Sequence, residues 1–253
     1  MQLYLERILG CLFVNNSKVV MAAFDVISLT LEQGLVHPIL AVPSVVAMET
    51  CPMEALQNRA QRLHDQLSHK HASFIHTRNT ESIRKSFDYQ VLLAARSPHP
   101  VTVTGIAASR TGRPEALLSR FYQIVREKRA NRNQFLAAMV KTFELLEVPE
   151  AQLDIHYYRY VVENLACFDY RTQEEVLHVI YWINAVLASV ADNCSSFWDK
   201  FASGTEQLFE LKWTLLHAAK LSLAMSMLLI LRSYLRVEYG ISEASVFISG
   251  VIA

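Results

Sequence analysis

Apolar positions along this chain recur at the spacing of an α-helix. Leu3, Ile8 and Leu12, then Val19, Ala23, Ile27 and Leu31, follow one another at three- to five-residue intervals, which places each group along one side of a helix. Strand-like alternation is confined to Val101 to Thr104. Turn-forming residues interrupt the pattern at Asn15-Asn16, Gly34 with His37-Pro38, Cys51-Pro52, Pro149, Asp169 to Thr172, Ser203-Gly204 and Gly240. These intervals predict roughly ten or eleven helices of about 12 to 20 residues joined by short turns. Residues 97–114, with three prolines and two glycines, read as one long loop.

Several helices are apolar on two faces, as in Phe135 to Val140 followed by Phe143 and Leu145-Leu146. Such helices need neighbours on both sides, the signature of stacked helix pairs. A repeat of about 40 to 47 residues predicts five to six pairs over residues 1–253. The fold class is therefore all-α, an α-solenoid of HEAT-like repeats in a single segment. Ser17 to Ile27 fits the second helix of a HEAT repeat, with small Ala23 admitting a paired helix, although Val20 stands where that pattern usually has Arg. The chain begins inside a helix and ends on Val246-Phe247-Ile248 and Val251-Ile252-Ala253 without a polar cap. Because solenoids need polar terminal repeats, the expectation is a piece of a longer protein.

Composition agrees with extensive burial: 52% of the 253 residues are hydrophobic, with 7 glycines and 7 prolines. Intrinsic disorder is excluded as the main state. Cys11, Cys51, Cys167 and Cys194 lie far apart with no metal-module spacing, which points to a reducing compartment and buried, inert thiols. Glu6 and Arg7 interrupt what a secretory signal would need as an apolar core. Asn15-Asn16-Ser17 and Asn193-Cys194-Ser195 fit the glycosylation pattern only by coincidence in that context. Leu221 to Leu231, between Lys220 and Arg232, is shorter than the about 20 apolar residues of a membrane span. It reads as a helix buried on most sides, so no membrane partner is expected.

Three segments carry a family resemblance. The first runs from Leu29 to Pro38 (LTLEQGLVHP), through Val42-Pro43 and Ala47 to Thr50, to Phe74-Ile75-His76. The second is Tyr122 to Arg126 with Arg129, Arg132 and Phe135-Leu136, and the third, most specific, is Glu163 to Leu177 (ENLACFDYRTQEEVL). In order and spacing across essentially the full chain, more weakly in the final helices, they resemble the C-terminal HEAT-repeat region of Nipped-B type cohesin loaders. The resemblance implies a hook-shaped solenoid in the nucleus, on chromatin, that engages cohesin (its SMC heads and kleisin subunit) and DNA. It also implies stimulation of ATP hydrolysis by cohesin's own heads, and hence a non-catalytic scaffold. The family's smaller partner subunit binds an N-terminal region absent here, so that partnership is not carried over. A generic helical-repeat adaptor unrelated to cohesin is the alternative.

The net charge of zero hides a partition. From Arg110 to Lys141 eight bases face two acids, a net +6, and from Thr142 to Glu175 the count reverses to −6. Candidate contacts to DNA or cohesin are Arg120, Arg126, Lys128, Arg129 and Arg132 in the first stretch, and Arg171 and Glu174 in the second. Clustered guanidinium groups clamp phosphates or carboxylates bidentately. Arg126 and Arg129, three apart, are expected on one helix face. Thr172 and Glu175 fit an N-cap and capping box for the following helix, a structural role.

His64, His69, His71 and His76 invite a metal reading, but i,i+7 pairs lie about 10.5 Å apart along a helix, too far for one ion. Trp182, Trp198 and Trp213 are expected in the core. No catalytic motif or phosphate-cradling glycine loop is present, so neither an enzyme activity, a cofactor nor a small-molecule substrate is expected.

Overall fold

The computed structural model describes residues 2–71, 76–107, 112, 114–144, 153–202 and 208–242, with side chains of 191–214 outside that description. Ten α-helices run through the described residues: α1 Leu5–Gly10, α2 Ser17–Glu32, α3 Pro38–Glu49, α4 Glu54–Lys70, α5 Asn79–Arg96, α6 Ser119–Val125, α7 Arg129–Lys141, α8 Ile155–Cys167, α9 Gln173–Ala202 and α10 Leu208–Glu238. The fold is an all-α stack, as the periodicity predicts. It divides into two compact units, Met1–Arg132 and Asn133–Ala253, with the division falling inside α7.

In the first unit, local chemistry starts and stops the helices. The Asn16 side chain accepts hydrogen bonds from the amides of Lys18 (3.1 Å) and Val19 (3.3 Å) and caps α2. After α2 the chain reverses at Gly34, whose φ of 68° favours a residue without Cβ. Pro38 then opens α3 at its first turn, and His37 Nδ1 accepts from the Ile39 amide at 3.3 Å.

Helix α3 is the centre of this unit. Every residue from Ala41 to Glu49 is buried, Pro43 included, because α4 and α5 pack against it. Its end is tied down by polar bonds. Gln90 Nε2 on α5 donates to the Thr50 carbonyl (3.0 Å) and hydroxyl (2.8 Å), and the Tyr89 hydroxyl donates to Cys51 Sγ at 3.2 Å. Burial and the adjacent Cys51 raise the Tyr89 pKa above its ordinary value. On α4, Gln57 Nε2 donates to the Glu49 carbonyl at 2.9 Å, and His64 Nδ1 meets Glu49 Oε1 at 2.7 Å.

Helices α2, α4 and α6 form a row, linked by ion pairs from Asp25 to Arg59 and from Asp65 to Arg120. Residues of α1, α3 and α5 border a cleft of about 460 Å³ elsewhere on the unit, where Arg84 pairs with Asp88 at 3.0 Å. Between α5 and α6 lies a two-stranded antiparallel pair, β1 Ile106–Ala107 with β2 Glu115–Ala116, in the register Ile106 opposite Ala116. The alternation at Val101 to Thr104 is not a strand. Among the described residues that short run meets no pairing strand, whereas the chain meets itself again at Ile106.

The second unit has an aromatic core. Phe143 packs on Tyr158 (5.1 Å between centroids), Phe135 on Phe168 (6.1 Å), and Tyr170 on Tyr239 (5.7 Å). The Tyr170 hydroxyl closes this corner by donating to the Leu165 carbonyl at 2.7 Å. Asp154 caps α8 through the His156 amide at 3.1 Å, and α10 packs on α8 and α9. Gly240, with φ 61°, ends α10, and the Ile241 amide returns to the Arg236 carbonyl at 2.9 Å.

Three expectations are corrected. Residues Leu215–Glu238 form 24 residues of helix that are long and apolar enough, by length and composition, to cross a membrane, and 22% of the most apolar window is buried. The helix is not enclosed: α8 and α9 cover the side of Leu221, Ala224, Leu228, Leu231 and Leu235, while Leu223, Ile230, Tyr234 and Val237 face outward. Trp182 is half-exposed rather than core, with Lys141 Nζ 4.1 Å from its ring centroid. Of the described thiols, Cys51 is buried, but Cys11 and Cys167 are half-exposed. The side chains of Cys194, Trp198 and Trp213, and the residues Leu145-Leu146, Pro149 and 246–253, lie outside the described residues.

Candidate functional site

The basic stretch occupies the turn between α6 and α7. Helix α6 buries Phe121, Tyr122, Ile124 and Val125 within seven residues and stops there. Arg126 takes the C-cap position, its amide bonded to the Tyr122 carbonyl at 3.0 Å. A new helix begins at Arg129, and the Arg132 amide returns to the Lys128 carbonyl at 3.0 Å. Arg126 and Arg129 therefore do not share a face of one helix. No glycine or proline forces this break. Between Arg126 and Gln134 the only apolar residue is Ala130, so no buried face holds a continuous helix across the segment, and propensity alone does not sustain one.

The turn sorts the arginines into different environments. Lys128 and Arg129 are exposed, and Arg126 is half-buried with its guanidinium carbon 5.9 Å from the Tyr122 ring centroid. Arg132 is 8% exposed, a buried cation inside its helix packing. Arg120 is engaged: its guanidinium pairs with Asp65 and reaches Gln123 Oε1 at 3.3 Å. The accessible cations of the turn are thus Arg126, Lys128 and Arg129, a short patch with the exposed Glu127 among them, whose donors suit phosphate or carboxylate oxygens.

The acidic stretch converges on the start of α9. Arg171, Thr172, Gln173 and Glu174 are exposed, whereas Glu175 is 2% exposed. The Thr172 hydroxyl donates to Glu175 Oε1 at 2.8 Å, and the Arg171 amide donates to Glu175 Oε2 at 3.4 Å. This differs from the reciprocal capping box, in which the Thr oxygen would accept from the Glu amide. Here the carboxylate gathers both donors at the positive end of the helix and is satisfied while buried. Glu174 and Arg171 project as the exposed charges of the turn.

Sequence reasoning overlooked a second polar surface, on α4. Asn58, Arg62 and Gln66 are exposed at four-residue spacing, with Arg59 and Arg120 held by carboxylates on either side. The signal was present as the i,i+4 spacing of long polar residues in residues 54–70. The histidines of this segment are dispersed: His64 is buried against Glu49 and Phe121, His69 is exposed, and His71 lies beyond the end of α4. Among the described residues, no group of three or more His, Cys, Asp or Glu side chains can hold a metal ion. His76 lies outside the described side chains.

Comparison with known proteins gives one consistent result. The family described as Sister chromatid cohesion C-terminus (Nipped-B_C) matches residues 1–186. A human Nipped-B-like protein is 35% identical over 193 residues, which is 76% of this chain and 7% of that protein. Nipped-B-like protein scc-2 of Caenorhabditis elegans is 28% identical over 184 residues, 68% of this chain and 8% of that protein. In structure, the chain matches the C-terminal fragment of the Chaetomium thermophilum cohesin loader SCC2 with a TM-score of 0.75 and 22% identity, over 92% of this chain and 16% of that one. The family match ends inside α9, while the likeness in fold, over 92% of this chain, continues further.

Proposed function

The chain belongs to the Nipped-B family of sister chromatid cohesion proteins, and on that premise we propose that it is a non-catalytic scaffold segment of a cohesin loader. It spans a small part of the relatives it matches, about 7% of the human protein. Its work is multivalent contact: a stack of helices presents short charged patches to cohesin and to DNA, and each patch adds to the effective concentration of the next. The place of action is the nucleus, on chromatin.

The observation that supports this reading, beside the family match, is the basic turn of half-buried Arg126 and exposed Lys128 and Arg129 within the matched residues. Arg120 and Arg132 support it from inside the fold, one tied to Asp65 and the other buried. Arg171 and Glu174 form a separate exposed patch, suited to one anionic and one cationic group on a protein partner. The test is charge reversal of Arg126, Lys128 and Arg129 to Glu in the full-length loader, with binding to duplex DNA and to purified cohesin measured across a salt series. A loss of affinity and a shallower salt dependence are expected. Unchanged binding to both partners refutes the assignment.

A further inference from the structure

The outer face of α10 is apolar in a regular way. Leu216, Leu223, Ile230 and Val237 stand seven residues apart, and all four are exposed. Ala219, Ser226 and Ser233 keep the same interval on one side of this line, and Lys220, Met227 and Tyr234 keep it on the other. A seven-residue period is that of a helix which packs along its length on another helix. A helix face left to water is usually charged, yet Lys220 is the one charge in these three lines, and it stands at their edge.

The serines do not oppose burial of the face. The Ser226 hydroxyl donates to the Ser222 carbonyl at 2.8 Å, and the Ser233 hydroxyl to the Leu229 carbonyl at 2.9 Å. Both donors are used within the helix, so covering them leaves neither unsatisfied. The face runs for about 32 Å along the axis. Its larger side chains expose on the order of 700 Å² per copy, close to the about 800 Å² that each partner contributes to a stable pair.

The spacing suits a second copy of the same helix. Turned antiparallel about a two-fold axis between Ser226 and Met227, the face meets itself in register. Leu216 lies level with the partner's Val237, and Leu223 with the partner's Ile230. Ala219 lies level with the partner's Tyr234, and Ser226 with the partner's Met227, so that small side chains stand opposite large ones as close packing requires. Charge selects the same direction. Lys220 and Glu238 are five helical turns apart and share one edge of the face. In the antiparallel pair Lys220 comes within about 7.5 Å, along the axis, of the partner's Glu238, whereas parallel copies would hold the two about 27 Å apart. A lipid surface would instead call for a rim of bases, and here Glu238 offsets Lys220 on that edge.

We propose that the chain forms an antiparallel homodimer through the outer face of α10, with Ser226 and Met227 at the two-fold axis. This pairing is independent of the charged patches assigned to cohesin and DNA. Sedimentation velocity of the chain, from about 1 to about 100 μM, tests it, and a monomer–dimer equilibrium is expected in that range. Ile230→Asp sets a carboxylate level with the partner's Leu223 and weakens pairing about a hundredfold or more. Leu29→Asp, at an exposed leucine of α2, leaves pairing unchanged. Both variants keep their helical circular dichroism in dilute solution, where the copies are apart. Copies with Ala219→Cys, mixed with copies carrying Tyr234→Cys, join through a short bismaleimide beyond the level of the unsubstituted chain, and neither variant joins to itself. A chain that stays monomeric throughout, a dimer that survives Ile230→Asp or is lost in Leu29→Asp, self-joining by Ala219→Cys, or a monomer that floats with phosphatidylcholine vesicles through this face overturns the proposal.

Discussion

Helices α3 and α10 are both strongly apolar, yet they live in opposite surroundings. From Ala41 to Glu49 no residue of α3 is exposed, and the helix tolerates an internal proline and a carboxylate because α4, α5 and their polar side chains enclose it. Helix α10 has a longer apolar stretch, but Ile230 is 68% and Val237 84% exposed. Hydrophobic composition therefore does not report burial. What decides it is the number of neighbours, and a helix stacked on one side only leaves its outer face exposed whatever residues stand there.

The largest expected effect lies in α3. Val45 is fully buried at its centre, and Val45→Asp places an unpaired carboxylate where water cannot reach it. A cost of about 4 kcal/mol or more is expected, enough to melt the first unit, and thermal unfolding followed by circular dichroism reads it. The same charge on α10, in Ile230→Asp, should move stability by less than about 0.5 kcal/mol, because the side chain stays in solvent. Equal losses at the two sites would break the contrast.

Next in size is the bond that holds α3 to α4. Glu49 and His64 are 2% and 0% exposed, and His64 Nε2 already lacks a partner. Glu49→Ala removes the acceptor for Nδ1 and leaves an imidazole with no hydrogen bond in a closed core. A loss of about 3 kcal/mol is expected in urea unfolding. A double variant, Glu49→Leu with His64→Phe, should recover most of it if the site tolerates an apolar pair.

The buried side of α10 gives a middle value. Leu228→Ala should destabilise the second unit by about 2 to 4 kcal/mol through the cavity it leaves against α8 and α9. The outward Leu223→Ala on the same helix should cost little. Hydrogen exchange resolves the two, with faster opening of α10 only in the first variant.

These contrasts also show where sequence is informative. Local chemistry was legible: Asn16, Pro38, Gly34 and Gly240 start and stop helices through hydrogen bonds and φ values that their side chains, or the lack of one, determine. The helical periods were legible for the same reason. The end of α6 at Val125 was not, because Arg126 to Arg129 are all good helix formers and the stop reflects where apolar burial runs out. Nor was the outward face of α10, since Leu and Ile look alike in sequence whether or not a neighbour covers them. For the candidate site, the charge partition along the chain located the basic turn. It did not separate buried Arg132 and engaged Arg120 from exposed Lys128 and Arg129, which depends on Asp65 and on packing distant in sequence.

The smallest effect sharpens the comparison at a helix end instead of a helix face. Thr172 is exposed, but its hydroxyl donates to a carboxylate that is buried, at 2.8 Å. Thr172→Ala removes the shorter of the two bonds that the turn gives Glu175 and keeps the one from the Arg171 amide, at 3.4 Å. The expected cost is about 1 kcal/mol, read as a lower unfolding midpoint with an unchanged slope in denaturant. Thr172→Ser should restore it, because the hydroxyl returns without the methyl group. Glu175→Gln separates charge from hydrogen bonding: an amide oxygen still accepts from Thr172, so a loss in this variant equal to that of Thr172→Ala would assign the stabilisation to the charge at the start of α9 and not to the hydroxyl.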